Sequence, residues 1–342
     1  MSPRVFLIGD GPTALSALRS LTASCHVGGV IRTGCFPSSD PAEELAKERH
    51  IPIYAISSLA DLQRLLIEHD PICTAISSFN RMIPPRILKL CKFVNVHYSN
   101  LPRYRGRANV NWALINGEGA VGISIHTVGA GLDDGGLLYQ ELLPIRSDDT
   151  ATSLYYRLNA IQERELGAAV LRALAGDTGA VQNEANATYC CARTPDDGEI
   201  DWRLTTIAID RFIRALTPPF PGAFTYLAGQ KLRVVRATPR ERAPHYEGRI
   251  PGRVIGLSRP DGWVDVLTGD GILRIHELAM DPGPGGVATT FISSTRMSLG
   301  LSKLDLLRRV ETLETRLLAL EALARRSGPP GVASTQPHAH EG

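Results

Sequence analysis

Short apolar runs recur along the first part of the chain, and the stretches between them carry apolar residues at helical spacing. The runs are VFLIG (5–9), CHVGGVIR (25–32), IPIYAI (51–56), ICTAISS (72–78) and FVNVH (93–97). Between them, GDGPTALSALRSLTA places Leu15, Leu18 and Leu21 on or near one face, DPAEELAKERH is a charged helix, and LADLQRLLIEH is amphipathic. Strands that alternate with helices up to about residue 140 predict an α/β domain with a mostly parallel, doubly wound, Rossmann-like sheet. Ligands of such sheets bind beyond the carboxyl ends of the strands. FVNVH ends at that edge.

Beyond it, TSLYYRLNAIQERELGAAVLRALAG (152–176) is a long helix stopped at Gly176, and ATYCCARTPDDGEIDW (187–202) is a connecting arm. TIAIDRFIRALTP adds a helix, and the short strands of FTYLAGQKLRVVRAT, GRVIGL and GWVDVLTGDGILRIHEL predict a small β-rich, barrel-like (OB-like) second domain. The organisation expected is a catalytic domain over 1–186, a linker over 187–202, a β domain over 203–292, a heptad-patterned helix over 293–328 and a disordered tail over 329–342. In the helix Leu299, Leu306, Leu313 and Leu320 are spaced by seven, with Val310, Leu317 and Ala324 between them. That seam, interrupted at Lys303, fits either a helix folded back on its own domain or a homodimer contact through residues 299–324.

The 342 residues are 43% hydrophobic and 21% charged, enough for two packed domains. A net charge of +2 argues against nucleic acid or an anionic membrane as the main partner, and no apolar run approaches the roughly 20 residues of a membrane helix. The cysteines at 25, 35, 73, 91, 190 and 191 have no zinc-site spacing, so reduced thiols in a cytoplasmic protein without a structural metal are expected.

Asn95 and His97 are two apart on a strand and therefore share a side. Asp133 and Asp134 follow in the turn GAGLDDGG. An amide, an imidazole and a carboxylate around one cavity suit acyl transfer: one polarises a carbonyl, one moves a proton, one sets the charge of the proton mover. His126, in GISIHTV, reads as a structural histidine. The basic cluster RYRGR (103–107) could bind a phosphate group or be a solvated loop, and Arg105 beside Gly106 could instead be structural, closing the loop over the strand end. A competing motif is Gly9, Gly11 and Ala14, a GxGxxA match to the dinucleotide fingerprint that would imply an NAD(P)-binding oxidoreductase. Pro12 weakens it by removing a backbone N–H from the phosphate loop, as does Arg32 where a ribose-binding acid is expected.

At these residues the chain resembles the 10-formyltetrahydrofolate-dependent formyltransferases. The resemblance rests on Asn95-Val-His97-Tyr-Ser99, Leu101-Pro102, Tyr104-Arg105-Gly106 and Leu132-Asp133-Asp134-Gly135, with RTPDDGEIDW and RALTPPFPGAFTY in the second domain, and covers roughly residues 1–292. It implies catalytic roles for Asn95 (holding the formyl oxygen), His97 (acid/base) and Asp133 (tuning His97). It also implies a donor site at Arg81, Met82, Ile83, Ser99, Gly131 and Leu132, acceptor contacts at Tyr104 and Arg105, and no metal. The donor would leave as tetrahydrofolate. Asn100 departs from the family's usual Leu. YRGRANVNWALINGE points most to enzymes that formylate a nucleotide-linked amino sugar; hydroxyornithine or another small amine comes next, and initiator methionyl-tRNA after that, since RTGCFPSSDPAEELAKERH is short and mixed in charge.

Overall fold

The computed structural model describes residues 4–34, 40–242, 244–301 and 303–326. The first strands are β1 (Arg4–Gly9), β2 (His26–Arg32), β3 (Ile53–Ala55), β4 (Cys73–Ser77) and β5 (Lys92–His97). They alternate with α1 (Gly11–Ser24), α2 (Pro41–Glu48), α3 (Leu59–His69) and α4 (Pro85–Leu88). After the two-residue strand β6 (Arg105–Gly106) come α5 (Asn109–Asn116), β7 (Ala120–Thr127), β8 (Leu137–Pro144) and α6 (Ala151–Leu174). The seven-stranded sheet runs β3-β2-β1-β4-β5-β7-β8, parallel through β5 and antiparallel beyond it. The expected parallel sheet is there, with an antiparallel edge added.

Val5, Phe6, Leu7 and Ile8 are completely buried because helices cover both faces of the sheet. Leu18, Leu21, Leu154, Leu158 and Val170 pack on one face. Ile31, Leu62, Leu66 and Ile87 pack on the other with Phe6 and Ile8. Helix starts are written locally: Ser58 with Asp61, and Thr150 with Ser153, form reciprocal capping boxes at α3 and α6. The chain leaves β1 toward β2 on one side and returns to β4 on the other, so a crevice opens at the carboxyl ends of β1, β4 and β5.

The connecting arm carries β9 (Tyr189–Cys190), which pairs in parallel with β6 and so belongs to the first domain's working edge. Then α7 (Thr206–Ala215) packs under an antiparallel sheet of β10 (Ala223–Leu227), β11 (Gln230–Pro239), β12 (Val254–Leu257), β13 (Val264–Leu267), β14 (Ile272–Met280) and β15 (Gly285–Val287), followed by the short α8 (Ala288–Phe291). In the order β10-β11-β14-β13-β12 the two edges are joined by residues 297–299. Leu299 bridges Leu227, Ser298 bridges Arg253, and Val254 donates to the Met297 carbonyl.

This corrects the heptad reading at its start. Leu299 is buried in the β-domain core, and the helix, α9, begins only at Lys303 and runs to Arg326. Closing the sheet takes precedence over extending the seam. The tail expected over 329–342 lies outside the described residues. Among the described residues no helix is long and apolar enough to cross a membrane.

Candidate active site

A cavity of about 680 Å³ occupies the crevice, and Asn95, His97, His126 and Asp133 all line it. The last turn of β5 sends Asn95 and His97 to the same side of the sheet, as their spacing requires. Antiparallel pairing then sets His126 of β7 directly opposite Asn95. Asp133 arrives from the β7–β8 turn with its backbone in the left-handed region, φ 51°. Tyr104 (φ 60°) and Ala108 (φ 57°) on the facing loop do the same. Such conformations cost on the order of 1–3 kcal/mol each and collect where function demands a particular direction.

The polar groups form one closed network. His97 Nε2 lies 2.8 Å from the Tyr104 carbonyl, so this nitrogen is the N–H donor. Its Nδ1 faces Asp133 Oδ2 at 3.5 Å. The same Oδ2 accepts the Gly106 N–H at 2.9 Å. On the other side, His126 Nδ1 donates to its neighbour's carbonyl, Thr127 O, at 2.7 Å, which leaves Nε2 as an acceptor for Asn95 Nδ2 at 3.1 Å. Burial, then the adjacent His97, hold His126 well below the usual imidazole range, so its ring is neutral near pH 7. A neutral His126 with that tautomer fixes which way the Asn95 amide points. The second Asn95 N–H meets Asp133 Oδ1 only at 3.5 Å, the outer limit of a hydrogen bond. That hydrogen is the one able to turn to an incoming oxygen.

Gly106 is required in this frame. Its φ is +101°, and a Cβ there would lie 2.4 Å from the Cys190 carbonyl. Cys190 and Ala192 on the arm form one wall. Burial pushes the Cys190 thiol up to about 11, so near pH 7 it is a protonated wall group and no nucleophile. Buried Gln162 of α6 fastens the far side, donating to the Thr13 carbonyl at 2.7 Å and accepting from Tyr98 at 2.9 Å.

The expected donor-site residues divide. Arg81, Met82, Ile83, Gly131 and Leu132 line the cavity, and Met82 and Leu132 expose apolar surface into it. Residues 79–84 belong to no helix or strand, so their backbone groups lie outside the ladders. Apolar walls with unladdered N–H and C=O groups fit a flat heterocycle with a polar edge, such as a pterin. Ser99 is not among the lining residues: it is buried and donates to the Arg103 carbonyl at 2.9 Å.

Two expected acceptor contacts also turn away. Arg105 is buried and gripped by Glu184 through both terminal nitrogens (2.6 and 2.9 Å) and by Gln182 (2.8 Å), so it closes the loop onto the arm. The Tyr104 hydroxyl donates to Glu118 at 2.7 Å, and only its carbonyl serves the site. Arg107, the last residue of the RYRGR cluster, is exposed at the cavity wall; what sequence reasoning missed is the part of His126, which it read as purely structural. The signal for His126 was available: Ser124 and His126 are polar residues two apart inside an otherwise apolar strand.

The dinucleotide reading does not survive. A Cβ on Gly9 would lie 2.3 Å from the Ser77 carbonyl, so this glycine serves the close approach of β1 and β4. Arg32 is buried and ion-paired with Asp40 at 2.8 Å and Asp10 at 3.7 Å, and it offers nothing to a 2′-phosphate.

Comparison with known proteins fits this geometry. Residues 37–170 match the formyl transferase family model, and residues 193–295 match the model of the formyl transferase C-terminal domain. The methionyl-tRNA formyltransferase of Marinobacter nauticus is 34% identical over 285 residues, 80% of this chain and 90% of the relative. That of Coxiella burnetii is 33% identical over 296 residues, 83% and 92% of the two chains. Among solved structures, the N-formyltransferase from Helicobacter canadensis in complex with folinic acid and dTDP-3-aminofucose superposes with a TM-score of 0.59 at 19% identity, covering 80% of this chain and 98% of that one. HypX from Aquifex aeolicus in complex with tetrahydrofolic acid gives 0.60 at 18%, covering 86% and 47%. Both share the fold. With the family matched in both domains and a relative covered over nine-tenths of its length, the chain belongs to the formyl transferase family and is a formyltransferase.

Proposed function

We propose that the protein transfers a formyl group from 10-formyltetrahydrofolate to the primary amine of a nucleotide-linked amino sugar. The donor fits the apolar wall of Met82, Ile83 and Leu132 beside Asn95. The amine nitrogen attacks the formyl carbon, and the negative charge that grows on the formyl oxygen is met by the Asn95 N–H that Asp133 holds only weakly. The bond from carbon to the folate nitrogen then breaks. The amine surrenders a proton and the departing folate nitrogen gains one. Asp133 with His97 Nδ1 is the pair placed to receive the first and supply the second.

The observation that carries the acceptor class is Arg107. It lines the same cavity, is exposed, and among the described residues has no carboxylate within ion-pair distance. A free guanidinium beside an acyl-transfer centre favours an acceptor that brings a phosphate with its amine.

Initiator methionyl-tRNA is the second reading, favoured by the names of the relatives at 33–34% identity. Against it stands the pairing of five basic residues of the second domain, although Arg242, Arg249, Arg253, Arg259 and Arg296 have no carboxylate partner among the described residues. Lys231 and Arg233 pair with Asp281, Arg236 with Glu277, and Arg240 and Arg274 with Asp265. Cations committed to their own carboxylates do not replace counterions along a phosphate backbone.

The test offers the purified protein 10-formyltetrahydrofolate with amino-sugar nucleotides, hydroxyornithine, other small amines and charged initiator tRNA, read by mass spectrometry. Formylation of an amino-sugar nucleotide is expected, with an Arg107→Ala variant losing apparent affinity for it by about tenfold. Formylation of the tRNA alone would overturn the acceptor assignment and leave the family assignment standing.

A further inference from the structure

Helix α9 is where this fold leaves its apolar side chains in water. Leu306, Val310, Leu313, Leu317 and Leu320 are between 47% and 63% exposed. They occupy alternating a and d positions of a heptad, with Val310, Leu317 and Ala324 at a and Leu306, Leu313 and Leu320 at d. Over 24 residues the helix is about 36 Å long and the seam runs nearly its whole length.

We propose that α9 pairs with α9 of a second copy of this chain as a parallel, in-register, two-stranded coiled coil. The charges that flank the seam select this occupant. In the two central heptads the g positions are Arg309 and Arg316 and the e positions are Glu314 and Glu321. In a parallel pair each g residue faces the e residue five positions on in its partner, so Arg309 meets Glu314 and Arg316 meets Glu321, each twice by symmetry. In an antiparallel pair g faces g and e faces e, which sets arginine against arginine and glutamate against glutamate. Among the described residues none of these four side chains has an ion pair within its own chain. The pattern is therefore self-complementary in one orientation only. Val310 at a with leucine at d is the combination that favours two strands. Lys303, at the first a position, disfavours extending the apolar seam toward the β domain.

The sequence of the seam and its exposure carry this inference independently of the acceptor reading. The whole chain is examined by sedimentation velocity across the micromolar range, beside two charge variants, Glu314→Arg with Glu321→Arg and Arg309→Glu with Arg316→Glu. The expected result is a dimer for the unaltered chain, monomers for each variant alone, and a one-to-one dimer when the variants are mixed. Because the altered side chains are on a solvent-exposed helix, formyl transfer per chain serves as the control for intact folding. Orientation is read from a Leu320→Cys variant, whose mild oxidation links residue 320 to residue 320 of the second copy, as peptide mapping reports. A monomeric unaltered chain, a dimer retained by both charge variants, or a cross-link absent under oxidation that forms disulfides elsewhere would each overturn the proposal.

Discussion

At the end of β5 the fold buries Asn95, His97, His126 and Asp133 wholly or in large part, while along α9 it exposes Leu306, Val310, Leu313, Leu317 and Leu320. Both regions depart from the ordinary partition of side chains between core and solvent. The polar cluster satisfies itself internally: a backbone amide from Gly106, a carbonyl from Tyr104 and a carbonyl from Thr127 hold its members in place. The helix does nothing comparable, because its leucines meet no core of their own. A buried polar network that is closed apart from one weak hydrogen bond is built to act on a small molecule. An apolar stripe with matched charges on both flanks is built to meet another helix. The two departures from the partition rule, compensated in different ways, are what support the proposed transfer site and the proposed helix pairing.

The largest expected effects break the polar side. Asn95→Ala and His97→Ala should each lower formyl transfer by a factor on the order of 100 or more with donor binding nearly intact, as equilibrium binding and single-turnover measurements would show. Near-normal turnover in either would remove that residue from the reaction. Gly106→Ala is next. Its Cβ would press on the Cys190 carbonyl at a φ that alanine resists, and the N–H on Asp133 would shift. Transfer should fall by about tenfold, with a stability loss of about 1–3 kcal/mol in denaturant titration.

Arg105→Ala sharpens the comparison by separating the loop from the chemistry. It leaves Gln182 and Glu184 without their shared partner and should lower stability by about 2 kcal/mol. The catalytic constants of the folded fraction should change little; a large rise in KM for the acceptor would instead restore Arg105 as a substrate contact.

The smallest effect concerns pH. His126 is held below its unfolded value, near 6.5, so the native state resists its protonation. The stability this provides is fully present above about pH 6.5 and is lost as the pH falls toward the folded-state value. His126→Gln keeps an acceptor for Asn95 and removes the titration. Thermal melts at pH 7 and pH 5 should therefore show a smaller fall in Tm for the variant than for the unaltered protein, and equal falls would contradict the buried neutral ring.

Much of this was legible in the sequence because its physics is local. Strand-to-helix alternation announced the sheet, and a spacing of two placed Asn95 and His97 on one side. What escaped was set by distant pairings. His126 became the partner of Asn95 only through the antiparallel register of β5 and β7. Arg105 is a latch because the arm at 182–190 folds back to meet it, and the arm's pairing with β6 has no local signature. Leu299 continued the heptad arithmetic yet was claimed by closure of the second sheet.

In the proposed reaction Asp133 and His97 move the protons of formyl transfer at a site that binds its donor without their help. The most direct measurement compares donor affinity and single-turnover transfer for the unaltered protein and for Asp133→Asn, a substitution that tolerates the left-handed backbone at this position. Donor affinity should change by no more than a few-fold, and transfer should slow on the order of 100-fold or more. Transfer at a near-normal rate, or loss of donor binding in proportion to the loss of rate, would contradict those roles.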